Sequence, residues 1–200
     1  MAPWRTLLRP VAALAGRHAA GQLTEFLAAH ERTEQAQREL LAGLVRAAEG
    51  TDFGRDYGFA NLRGYEDFAS AVPVGGFEDR RPYLDRVFAG RPEALLPPDD
   101  PVLMFAVSSG TTGTPKHIPV TAGFLDDYRR GWNLFGLKVL RDHPDGWLRK
   151  IVTVVGSCSE HRSPAGLPCG CIGGLLAGTQ KWIVRKMYPV PAAACRLAEA

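Results

Sequence analysis

Residues 102–116 constrain this chain more than any other stretch. Six consecutive apolar residues, Val102-Leu-Met-Phe-Ala-Val107, run directly into Ser108-Ser-Gly-Thr-Thr-Gly-Thr-Pro-Lys116. An apolar run of this length without alternation fits a buried strand. The loop after it has the composition of an anion cradle. Gly110 and Gly113 let backbone N–H groups come close to a bound anion. The hydroxyls of Ser108, Ser109, Thr111 and Thr112 add side-chain donors, and Lys116 adds a point charge that a polyphosphate needs and a neutral ligand does not. Pro115 limits the freedom of the loop just before that charge. The alternative is a Ser/Thr-rich turn that binds nothing, and the agreement of so many independent positions argues against it.

The loop is not a Walker motif. There the lysine follows the second glycine directly and opens a helix. Here Lys116 stands three places after Gly113, and His117-Ile-Pro119 follows, which cannot begin a helix.

The 200 residues hold 46% hydrophobic and 22% charged side chains, enough apolar content for a buried core and against intrinsic disorder. No stretch of about 20 apolar residues offers a membrane span. The net charge is +3, distributed as −3 over residues 1–100 and +6 over residues 101–200. A basic second half suits an anionic small ligand, while the absence of a Lys/Arg block argues against nucleic acid. The first ten residues are broken by Arg5, Arg9 and Pro10, so no signal peptide is expected. Reduced thiols at Cys158, Cys169, Cys171 and Cys195, and hence a cytoplasmic location, follow as expectations.

Along the chain, apolar residues at three-and-four spacing predict one helix over about 22–49, ended by Gly50. A glycine-punctuated loop is expected over 51–59, a helical turn over 65–69, and a second short helix over 76–87. Pro97-Pro-Asp-Asp-Pro101 reads as a rigid linker. After strand 102–107 come an extended piece at 118–120 and a helix over 122–140 capped by Thr121. Asp126 and Asp127 in that helix read as residues complementing its dipole. A further strand is expected at Ile151–Val155, a Gly/Cys/Ser-rich loop over 156–181, and an uncapped helix from Pro191. The organisation predicted is a helical region over 1–100 and an incomplete α/β portion over 101–200 carrying the phosphate loop.

The phrase S-S-G-T-T-G-T-P-K at 108–116 resembles the phosphate-binding signature of the adenylate-forming superfamily, which includes acyl-CoA synthetases, luciferases and peptide-synthetase adenylation domains. Thr51–Phe59, Tyr65–Phe68, Ala71–Val74, Phe77–Tyr83 and Ser159–Pro168 resemble the auxin-responsive-promoter (Gretchen Hagen) family of acyl-acid amido synthetases, so the resemblance covers about residues 35–190. It implies the N-terminal part of the large domain of an adenylate-forming enzyme, a helical region followed by a mixed sheet with flanking helices. It also implies ATP and Mg2+ as cofactors, with a small carboxylic acid and an amine acceptor as partners. Ser108, Ser109, Gly110, Thr111, Thr112 and Gly113 would hold the ATP phosphates, and Lys116 would neutralise the pyrophosphate leaving group. That family's adenine site, acidic metal ligand and mobile C-terminal domain have no counterpart before Ala200, so a truncated chain is expected, with the C-terminal part of the same enzyme as its missing partner. An acyl-CoA-ligase-like enzyme, a non-catalytic fragment and an unrelated nucleotide hydrolase stand as alternatives.

No metal ligand is assigned. Cys158, His161, Cys169 and Cys171 invite a zinc reading, but their spacing departs from the paired Cys motifs of structural zinc sites. His117, next to Lys116, reads as a packing or solvent-facing strand residue, with a phosphate contact as the alternative. Trp132, Phe135 and Leu137 read as core, with an acyl-pocket lining as the alternative, and Arg80, Arg81 and Arg86 as a solvated face or contacts to the missing part.

Overall fold

A computed structural model of the chain describes residues 9–108, 114–143 and 150–180, with side chains from residue 20 onward except at 140. The central part of the expected phosphate loop, 109–113, and the helix expected from Pro191 lie outside the described residues. The chain divides into two compact units, Met1–Glu39 with Asp126–Arg149, and Leu40–Leu125 with Lys150–Ala200.

The first unit is helical. Helix α1, Arg9–Glu31, and the opening of α2, Thr33–Ala48, replace the single helix read from the periodicity. The break falls at Arg32, beside which the Thr33 hydroxyl donates to the His30 carbonyl at 2.8 Å, a back-bond of the kind that bends helices. The later part of helix α6, Ala122–Asp142, belongs here as well. Asp126 and Asp127 lie beyond its first turn and pair with Arg129 and Arg130 three residues on, so they stabilise the exposed face and do not complement the dipole.

The second unit carries the sheet. Thr51 begins helix α3, Asp52–Asp56, where a loop was expected: its hydroxyl accepts the Gly54 N–H at 2.9 Å and donates to the Ala48 carbonyl at 2.7 Å. One buried side chain thereby closes α2 and caps α3. Phe53 then packs beside Tyr57, Phe59 and Tyr83, forming an aromatic cluster with Val45. The Tyr83 hydroxyl donates to Asp56 at 2.6 Å, and this bond to a carboxylate, with burial, pushes its pKa up to about 12. Helix α4, Tyr65–Ala71, and helix α5, Phe77–Phe88, follow as the sequence predicts. Arg80 and Arg86 are not a solvated face. Arg80 lies over the Phe53 and Tyr57 rings, while Arg86 lies over Tyr83 and pairs with Asp52 at 2.7 Å.

Four strands make one mixed sheet in the order β2-β1-β4-β3. Strand β1, Val102–Val107, pairs antiparallel with β2, His117–Thr121, and parallel with β4, Pro168–Gly170. Strand β3, His161–Arg162, closes an antiparallel hairpin onto β4. A short helix α7, Ile172–Gly178, ends the described fold. The core under β1 joins Phe105, Cys169, Val87 and Ala94, so helix α5 is fastened to the sheet. The strand expected at Ile151–Val155 does not form. Its side chains have no packed face, Val152 and Val154 being 68% and 98% exposed. A run of β-branched residues makes a strand only where a partner and a packed face exist. Among the described residues no helix is long and apolar enough to cross a membrane.

Two glycines in this unit are expected to respond oppositely to an added methyl group. At Gly54 a Cβ would lie 2.0 Å from the Ala48 carbonyl oxygen, whereas at Gly43 it would meet nothing within 4 Å. Gly54→Ala is expected to cost about 3 kcal/mol or more through overpacking against backbone. Gly43→Ala, on an open helical surface, is expected to gain about 0.5–1 kcal/mol. Denaturant unfolding of the two variants reads the contrast directly.

Candidate functional site

The site is built at one end of β1. Strand pairing carries Val107 opposite His117, and the next rung is closed by Ser108 and Lys116. The Ser108 N–H donates to the Lys116 carbonyl at 3.1 Å, and the Lys116 N–H donates to the Ser108 hydroxyl oxygen at 2.9 Å. The seven residues between them therefore leave and re-enter the sheet at a fixed place. A serine hydroxyl has one donor and two acceptor positions, so Ser108 closes the rung with its oxygen and keeps its own proton for another partner.

The Lys116 side chain is exposed and its ammonium lies 4.8 Å from the centre of the Phe77 ring, at the start of α5. Among the described residues it pairs with no carboxylate. A cation held over an aromatic face in an exposed position is worth only about 0.5–1 kcal/mol, so an arriving anion can take it with little loss. Of the loop residues assigned from the sequence, the structure describes Ser108 and Lys116 and brings them together. Ser109, Gly110, Thr111, Thr112 and Gly113 lie outside the described residues.

Next to Lys116, the His117 ring stacks on Phe88 with centroids 4.4 Å apart. Phe88 in turn meets Phe105 edge-on at 5.0 Å, so the last residue of α5 connects the core to the root of the loop. On its other side, His117 Nε2 lies 3.0 Å from His161 Nε2 on β3. Burial, with the second imidazole alongside, holds the His117 pKa below its usual range. Cys169 on β4 is fully buried, and that burial pushes its thiol pKa up against the opposing effect of a Ser163 backbone hydrogen bond. Sequence reasoning missed the nearness of His117 to His161 and Cys169, because 44 residues separate the two histidines and only strand order brings them together.

The β3–β4 hairpin is itself tightly fixed. The buried Ser163 accepts the Leu167 N–H on its hydroxyl and donates its own N–H to the Leu167 carbonyl, and Gly166 takes φ +81° in the turn. Trp132 and Phe135, on α6 in the first unit, are 56% and 60% exposed. They are surface residues with Asp127, Tyr128 and Gly131 around them, and not core.

The family profile described as "GH3 family N-terminal domain" matches residues 22–199. The chain belongs to the GH3 family. This is the auxin-responsive-promoter family that the upstream phrases resemble. The chain is 33% identical over 124 residues to the probable indole-3-acetic acid-amido synthetase GH3.13 of Oryza sativa subsp. japonica, covering 58% of this chain and 26% of that protein. It is 34% identical over 115 residues to the indole-3-acetic acid-amido synthetase GH3.15 of Arabidopsis thaliana, covering 56% and 19%. A solved structure of a GH3.15 acyl acid amido synthetase superposes with a TM-score of 0.64 at 26% identity, over 80% of this chain and 27% of that one. The described helices and mixed sheet thus have the fold of the N-terminal region of a GH3 enzyme. This GH3 chain spans about a fifth to a quarter of the length of these relatives.

Close packing behind the hairpin gives a test of this site. A Cβ at the buried Gly170, the last residue of β4, would lie 2.5 Å from the Ser157 carbonyl oxygen and 2.9 Å from the Cys158 carbonyl carbon. Gly170→Ala is expected to destabilise the chain by about 1–3 kcal/mol. Its unfolding midpoint in urea should fall accordingly.

Proposed function

We propose that this GH3 chain supplies the phosphate-binding part of an ATP-dependent ligase. The ligase joins a small carboxylic acid to an amine or amino acid. In the first step a carboxylate oxygen attacks the α-phosphorus of ATP, forming the acyl-adenylate and releasing pyrophosphate. In the second, the amine nitrogen attacks the acyl carbon, AMP leaves, and the amine proton passes to solvent. The names of the relatives, indole-3-acetic acid-amido and jasmonoyl–amino acid synthetases, support an organic acid as acyl donor and an amide as product. A solved neighbour in complex with 2,4-DB supports the same class of acid.

The observation that carries this reading is the Ser108–Lys116 rung. It anchors a loop rich in hydroxyls and glycines at the end of a buried strand, with an ammonium beside it that no carboxylate neutralises among the described residues. In this reading the N–H groups of residues 109–113 and the hydroxyls of Ser108, Ser109, Thr111 and Thr112 hold the phosphate oxygens, and Gly110 and Gly113 allow the backbone to approach. Lys116 leaves Phe77 to offset the charge that grows on the departing pyrophosphate. The loop supplies no nucleophile. ATP enters as the magnesium complex, in which the ion would neutralise phosphate charge. Among the described residues no cluster of carboxylates suited to magnesium stands at the loop, so its ligands are assigned to no residue here. The free thiols of Cys158, Cys169 and Cys171 support a cytoplasmic setting.

Pyrophosphate binding tests the assignment. Calorimetric titration of the chain should show saturable binding that Lys116→Ala weakens about tenfold or more, the loss of one charge-assisted contact. Equal affinity of chain and variant would remove the role given to Lys116. Pyrophosphate release that depends on an added carboxylic acid would support ligase chemistry, while acid-independent ATP hydrolysis would contradict it.

A further inference from the structure

We propose that His117, His161 and Cys169 form a binding site for a divalent cation of the zinc class, coordinated by two imidazole nitrogens and one thiolate. The three ligand atoms lie within 4.8 Å of one another. Around a tetrahedral zinc, with bonds of about 2.0–2.3 Å, ligand atoms stand about 3.3–3.6 Å apart. The observed spread brackets that separation. Adjustments of a few tenths of an ångström at the 3.0 Å histidine pair, and a modest inward turn of the others, complete the geometry.

The sheet makes the convergence. Val107 pairs with His117, Phe105 with Cys169, and Cys169 with His161. Paired strand residues share a face, as do Phe105 and Val107 two apart on β1. All three ligands therefore project from one face of the sheet, where Phe88 covers Phe105 and stacks on His117. Cys169 is wholly buried, His117 half-buried and His161 exposed. The site is closed toward the core and open on the His161 side, leaving a fourth position for water.

The donor set selects the ion. Imidazole and thiolate favour zinc, cobalt, nickel or copper and disfavour magnesium and calcium. Of Cys158, His161, Cys169 and Cys171, whose spacing argued against a zinc site, two converge here, and His117 joins them. A simpler account of the 3.0 Å contact is a hydrogen bond between neutral imidazoles, with one Nε2 protonated. That account leaves the thiol with one weak acceptor, the Leu167 carbonyl at 3.7 Å, and gives its convergence with the two nitrogens no purpose. On coordination the Cys169 thiol gives its proton to solvent, and both histidines bind as neutral rings. The bound ion would tie β2 to the β3–β4 hairpin across β1, one residue from Lys116.

Cobalt titration of the full chain, freed of metal by a chelator, tests the site without any assay of ligase activity. One equivalent of Co2+ should give a thiolate-to-cobalt charge-transfer band and the intense visible bands of four-coordinate cobalt, and Zn2+ should displace both. Cys169→Ser should abolish the charge-transfer band. His161→Ala, at an exposed position that leaves the fold intact, should weaken Co2+ binding about tenfold or more. A chain that binds no cobalt at one equivalent, or a band that survives in Cys169→Ser, overturns the proposal. Unchanged affinity in His161→Ala overturns it as well, and decides alone if the serine variant does not fold.

Discussion

The pairing of β1 with β2 is the interaction on which the rest depends. It takes an apolar run that must be buried and returns the chain along it at once, so the intervening loop is held by its two ends. The last rung uses a side chain, since the Ser108 hydroxyl oxygen takes the Lys116 N–H where a carbonyl would ordinarily serve. Everything proposed for the site follows from that closure. Lys116 emerges at a fixed point beside Phe77, and His117, next along β2, is delivered to the face of the sheet that Phe88 covers.

Phe105 gives the closure something to rest on. It is fully buried, pairs with Cys169 across the parallel β1–β4 contact, and meets Phe88 at the end of α5. Truncating a buried phenylalanine costs about 3–5 kcal/mol, comparable with much of the stability of a small domain. The root of the 108–116 loop therefore stands on a core that also includes Val87 and Ala94.

Much of this was legible in the sequence. The apolar run marked β1 to the residue, and Thr121 marked the start of α6 through its bond to the Phe124 N–H. What failed was whatever depended on distant partners. Ile151–Val155 has strand composition but finds no packed face, with Val154 98% exposed. Thr51 looked like part of a loop because its cap role needs Ala48 and Gly54 together. His117 carried no signal of its own, since its meaning comes from His161 and Cys169, which strand order alone brings near.

Membership in the GH3 family gives the closure its functional weight, and the closure can be measured by itself. Amide hydrogen exchange resolved to single residues would show whether Ser108 and Lys116 are held as the last rung of the sheet. The account predicts that both amides exchange slowly, with protection approaching that of the β1 and β2 amides bonded across the ladder. Exchange of Ser108 and Lys116 at the rate of an unstructured peptide, while the rest of β1 stays protected, would contradict it.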